Sequence, residues 1–149
     1  MWQGNRTLER KRGIMTETNH LTVLGNKVDG SLEPSQLEKF PAPNVTEVEF
    51  ESHELTALCP VTNQPDIYTI KISYVPNEFC VESKTLKLYL MRFRNEGMFG
   101  EAITARIADD LFDAIQPKAL KVETTQQVRG GLQMTSRAVR QDRPLANLA

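Results

Sequence analysis

Asp66-Ile67-Tyr68-Thr69-Ile70-Lys71-Ile72-Ser73-Tyr74-Val75 alternates without a break, with Tyr68, Ile70, Ile72 and Tyr74 on one side and Ile67, Thr69, Lys71 and Ser73 on the other. Period-two alternation rich in β-branched and aromatic residues is the pattern of a strand with one face on a core. Upstream, residues 45–50 alternate in the same way (Val45, Glu47, Glu49 against Thr46, Val48, Phe50) and predict a second strand with one wet face. Downstream the period changes. Phe99, Ile103, Ile107, Leu111 and Ile115 recur every four residues and join Met98, Ala108 and Phe112 in one stripe, which predicts a helix over 98–116 that Pro117 ends. Residues 119–125 and 132–136 read as two further strands joined through 126–131. Strands, a helix and strands again, with no regular βαβ alternation, predict an α+β fold with an antiparallel sheet.

The remainder of the chain sets bounds on this reading. With 149 residues, 40% hydrophobic and 25% charged, the default is one globular domain with a real core. Residues 1–20 are polar, contain Met15 and lack apolar period, so they are expected to be a disordered extension; 21–149 then form the single domain, with a flexible carboxyl tail. Residues 21–43 are rich in turn formers, with a short helix expected at 35–39. A net charge of −1 argues against a polyanion as the main partner, although both ends are locally basic. No apolar run approaches the roughly 18 residues of a membrane span, and no secretory leader pattern follows the basic start, so a cytoplasmic protein is expected. The two cysteines and two histidines are not spaced as a redox dithiol or a metal site.

Chemistry concentrates in Leu58-Cys59-Pro60-Val61-Thr62-Asn63-Gln64-Pro65-Asp66. The two prolines forbid a continuous strand or helix and leave Cys59 on a rigid connection between strands. A cysteine attacks as its thiolate and needs help to ionise near neutral pH. Asp66 comes close if the segment loops, and could share the thiol proton and deliver it to a developing nitrogen. From spacing alone, a packing role is the commoner one for such a cysteine. Lys84 and Lys87, three apart, share a face if their segment is helical and could hold phosphates of a nucleotide cofactor, or simply form a solvated face. Glu82 and Glu101 stand at helix starts, where the dipole favours a carboxylate. Glu101 could also accept paired hydrogen bonds from a guanine-type base. Arg129-Gly130-Gly131 puts a cation beside bare backbone, suited to a phosphate or to a bulged turn.

Taken together, these segments resemble the 7-cyano-7-deazaguanine reductases, the short single-module form of the QueF family in queuosine biosynthesis, a tRNA-modification pathway. The resemblance runs from about residue 21 to 136. It is carried by Leu58-Cys59-Pro60 with Gln64-Pro65-Asp66, by Ile72-Ser73-Tyr74-Val75-Pro76, by Glu82-Ser83-Lys84-Thr85-Leu86-Lys87-Leu88-Tyr89, by Phe93-Arg94-Asn95 to Glu101, and by Arg129-Gly130-Gly131, in that order. It implies a tunnelling fold, an antiparallel sheet backed by helices that assembles into an oligomeric barrel with active sites at subunit interfaces. It further implies that Cys59 adds to the nitrile of a deazapurine to give a covalent thioimide, that Asp66 supplies the proton, and that NADPH reduces the adduct to an aminomethyl group. On the same ground Val81, Glu82 and Ser83 touch the base and Glu101 anchors its polar edge, while Ser83, Lys84, Lys87, Arg129 and Gly130 meet NADPH; no metal is implied.

One position departs from the family. Where a histidine usually precedes the anchoring glutamate, this chain has Gly100, in the region expected to bind substrate. Two other readings therefore stand beside the reductase: a QueF-like enzyme that adds ammonia to the thioimide without reduction, and a non-catalytic deazapurine-binding oligomer. Cys80 matches no family role and is read as structural.

Overall fold

The computed structural model describes residues 32–142, so the expectations for the first twenty residues and for the end of the carboxyl tail lie outside the described residues. The strand predicted at 66–75 is β3, Pro65–Val75. It lies at the centre of an antiparallel sheet between β2, Val48–Leu58, and β5, Ala119–Gln126, with β6, Thr135–Gln141, beyond β5. A separate two-stranded ribbon pairs β1, Lys39–Pro41, with β4, Phe79–Val81. The helices are α1, Ser83–Met91, and α2, Gly100–Ile115.

Alternation and helical stripe meet in one core. Tyr68, Ile70, Ile72 and Tyr74 face Ile103, Ile107, Leu111 and Ile115, and all eight are at most 2% exposed. Burial on that scale is the main stabilising term for a domain of this size. Gln116 takes a left-handed conformation (φ 45°) immediately before Pro117, which ends α2 where the sequence predicts.

Three boundaries differ from expectation. The strand expected at 45–50 begins only at Val48 and continues to Leu58, the residue before Cys59. The helix expected at 35–39 is a short 3-10 turn, Pro34–Gln36, and Lys39 already belongs to β1. The last strand starts at Thr135 rather than 132, because Leu132 closes a tight turn onto Arg129 instead.

The extension of β2 matters because it contains a bulge. The register runs Phe50↔Ile72 and Ser52↔Ile70, then jumps to Leu55↔Tyr68 and Ala57↔Asp66, so β2 spends three residues where β3 spends two. Before the bulge the even-numbered residues of β2 face the helices; after it Leu55 and Ala57 do, buried at 2% and 0% exposure. An extra residue switches the parity of every side chain beyond it. Continued to residue 59, that parity turns the cysteine to the helix-covered side, the side of Asp66.

Candidate active site

The turn after β2 holds the thiol. Cys59 N–H donates to Gln64 O (2.8 Å) and Asn63 N–H donates back to Cys59 O (2.8 Å), closing a compact loop in which Asn63 is left-handed (φ 57°). This geometry turns the backbone N–H groups of Val61 and Thr62 toward the sulfur. The Thr62 side chain is the strongest influence, followed by those two backbone groups. With a contribution from Arg129, they outweigh the opposing effect of burial and lower the Cys59 thiol from 9.0 to about 7. The thiolate is therefore far more accessible near neutral pH than in an ordinary cysteine. Thr62 was not singled out in the sequence, since a threonine in a turn carries no chemical pattern of its own.

Asp66 opens β3 opposite Ala57, which makes it the diagonal neighbour of Cys59 on the same face, a relation that spans roughly 7–8 Å between backbones. It is 4% exposed, and its carboxylate accepts from Arg129 Nη1 at 2.5 Å. Arg129 reaches it from the β5–β6 hairpin. Gln127 N–H donates to Ile67 O, which lays the hairpin tip along the start of β3, and Gly130 and Gly131 (φ 58° and 78°) make the two-residue turn between Arg129 and Leu132. Positive φ at both central residues is the type I′ geometry that glycine adopts without strain. Arg129 thus binds the carboxylate and also favours the thiolate.

The start of α2 is brought to the same place by a short parallel contact. Leu58 N–H donates to Glu96 O (2.9 Å) and Met98 N–H to Leu58 O (3.2 Å), which delivers Gly100 and Glu101 beside the end of the hairpin. Gly100 is buried and Glu101 is exposed in the first helical turn. A Cβ on residue 100 would lie 2.7 Å from Met134 Cε and 2.9 Å from Tyr68 Cε1. The space a larger side chain would need is filled.

The other site residues gather at α1. Glu82 is its N-cap: the carboxylate, 5% exposed, accepts from Lys84 N–H (2.8 Å) and Thr85 N–H (2.9 Å). Val81 belongs to β4 rather than to the helix and is paired with Lys39. Ser83 and Lys87 line a cavity of about 300 Å³ over the middle of the β2–β3 hairpin, with Leu55 and Ile72 as its floor and Arg94, which the sequence reading left without a role, on its rim. Lys84 lies three residues before Lys87, on the same helical face. Leu55 lies four residues before Cys59, which follows the end of β2, a separation of about 13 Å along extended chain. One chain thus presents two groups: Cys59, Asp66, Arg129, Gly100 and Glu101 at the hairpin end, and Ser83, Lys84 and Lys87 with Arg94 at α1. Among the described residues no cluster of His, Cys, Asp or Glu is suited to a metal ion, and no helix is long and apolar enough to cross a membrane.

An antiparallel sheet backed by two helices, with the thiol on the β2–β3 turn, places the molecule in the tunnelling-fold class. The crystal structure of the apo archaeosine synthase QueF-Like shares the fold, with a TM-score of 0.63 at 16% identity over 68% of this chain and 100% of that one. Residues 65–144 match the family described as QueF-like protein, and the chain belongs to that family. Relatives named NADPH-dependent 7-cyano-7-deazaguanine reductase are 47% identical in Anaeromyxobacter sp. (strain K), over 75% of this chain and 95% of the relative, and 50% identical in Alkalilimnicola ehrlichii, over 70% and 84%. One from Agrobacterium fabrum is 43% identical over 79% and 80%.

Proposed function

We propose that this protein is an NADPH-dependent 7-cyano-7-deazaguanine reductase, a cytoplasmic oxidoreductase of queuosine biosynthesis, with 21–149 as its one catalytic domain. The observation that carries this reading is a thiol lowered to about 7 on the same sheet face as a buried carboxylate. Cys59 Sγ adds to the nitrile carbon while the thiol proton passes through Asp66 to the nitrile nitrogen, giving a neutral thioimide. The substrate carbon becomes a better hydride acceptor once the nitrile is gone. Arg129, within reach of both groups, keeps positive charge beside the thiolate and orients the Asp66 carboxylate. In this reading Glu101 takes the polar edge of the base, and Val81, Glu82 and Ser83 flank it.

The hydroxyl and cations at α1 suit a phosphate-bearing dinucleotide: Ser83 and Lys87 line the cavity with Arg94, and Lys84 shares the helix face. Arg129 and Gly130 are the groups at the hairpin end that would meet it. NADPH, when bound, supplies hydride, and the balance is one nitrile, two NADPH and two protons to one aminomethyl group and two NADP⁺. The α1 group is set apart from Cys59 within one chain, which supports a homo-oligomer with interfacial sites, α1 of one copy facing Cys59 of the next.

The test mixes purified protein with 7-cyano-7-deazaguanine and follows both NADPH absorbance and the mass of the intact chain. The expected result is NADPH consumption, and without NADPH a mass increase of one substrate that is lost in Cys59→Ala. An adduct with no consumption at saturating NADPH would favour the ammonia-adding reading, and no adduct with no consumption would end the enzymatic one.

A further inference from the structure

Tyr68 stands in the middle of the site residues yet has no role so far. Its side chain points from β3 to the helix-covered face and is 1% exposed, and its hydroxyl oxygen is buried without a hydrogen-bond partner among the described residues. A buried phenol ordinarily finds one. The charges of Asp66, Arg129, Glu101 and Cys59 all act on it, so it lies among the groups at the hairpin end. The hydroxyl is 3.2 Å from where a Cβ on residue 100 would be, and the ring is closer still at 2.9 Å. Tyr68 therefore occupies the volume into which a side chain at position 100 would extend, the position where the family usually has histidine.

Resting on the reductase reading, we propose that Tyr68 is a substrate-binding residue, its hydroxyl donating the hydrogen bond to the bound deazapurine that an imidazole at position 100 would otherwise supply. Burial, with the nearby Asp66 charge next, pushes the phenol up to about 12 against the pull of Arg129, so it stays protonated and able to donate at neutral pH. Met134 Cε is the other atom packed onto Gly100. A methionine tip is an easily displaced cover, and its movement exposes the hydroxyl to a ligand. Gly100 is then the consequence of Tyr68, since the ring and any larger side chain at 100 compete for one space.

Binding of 7-cyano-7-deazaguanine is measured by calorimetry in a Cys59→Ala background, where no covalent bond can form. Adding Tyr68→Phe keeps the ring and removes only the hydroxyl. The expected loss is about tenfold in affinity, the value of one hydrogen bond. Pairing Tyr68→Ala with Gly100→His is expected to recover most of that affinity, whereas Gly100→His alone, against an intact Tyr68, weakens binding. Affinity unchanged within twofold in Tyr68→Phe overturns the proposal alone when the unsubstituted protein still consumes NADPH. No binding by Cys59→Ala itself, together with no NADPH consumption by the unsubstituted protein, overturns the proposal and the reductase reading together.

Discussion

The acidity of Cys59 is a property of its turn, and its causes can be separated residue by residue. Alkylation by iodoacetamide should follow the thiolate, slow below pH 6, rising through a midpoint near 7 and flat above pH 8, because the thiol is lowered to about 7 from 9.0. Thr62→Val keeps the shape and removes the hydroxyl that contributes most. The midpoint should move up by about one unit and the rate at pH 7 fall roughly fivefold. Arg129→Gln, which removes the smallest of the lowering contributions, should move it less. A Thr62→Val profile that overlays the unsubstituted one would show that the backbone N–H groups and Arg129 lower the thiol without the Thr62 hydroxyl. Nothing at Thr62 advertised this in the sequence, because the effect depends on where the hydroxyl lies in a closed loop. Cys59 and Asp66 were legible as a pair for the opposite reason: prolines at both ends of a short connection restrict where it can go.

Elements show the same division between what pattern reveals and what geometry adds. The helix-facing side of β3 and the stripe of α2 were readable, since alternation and a four-residue period each run without interruption through them. The bulge in β2 was not. It lies in Ser52-His53-Glu54, three polar residues whose extra member leaves no break in a hydrophobic pattern, and so the alternation predicts a strand only as far as Phe50. Yet that bulge sets the face on which Cys59 lies. Glu82 illustrates how one side chain carries two assignments: family likeness gives it to the substrate, while the structure also makes it the cap of α1. Glu82→Ala should lower stability by about 1–2 kcal/mol in urea unfolding, the usual cost of losing an N-cap, with or without ligand present. An unchanged urea midpoint would remove the capping role and leave any activity loss to substrate binding alone.

At the scale of the whole molecule, the sheet leaves two edges, β2 and β6, open among the described residues, except at Leu58, where the end of β2 meets Glu96 and Met98. Long open edges invite pairing with another copy. Their charges differ: β2 carries Glu49, Glu51 and Glu54, with Glu47 immediately before it, and β6 carries Arg137 and Arg140. Arg137 is ion-paired to Glu123 and Arg140 to Asp109 within the chain, so the attraction comes from the field of the edge rather than from an uncommitted cation. An acidic edge on one side and a basic edge on the other favour head-to-tail association, which forms a ring when the rotation between copies closes. In the proposed assembly the same pairing would bring α1 of one copy toward the Cys59 end of another. Reversing the charge of one edge with the pair Glu49→Lys and Glu51→Lys should therefore lower the native mass toward that of a single chain, by light scattering at micromolar concentration. NADPH turnover should fall at least tenfold, while alkylation of Cys59 keeps its midpoint near 7 because the turn that sets it is built within one chain. Turnover that survives in a single-chain species would show that one copy completes the site by itself. A lost alkylation profile would instead place the damage in the fold of the hairpin.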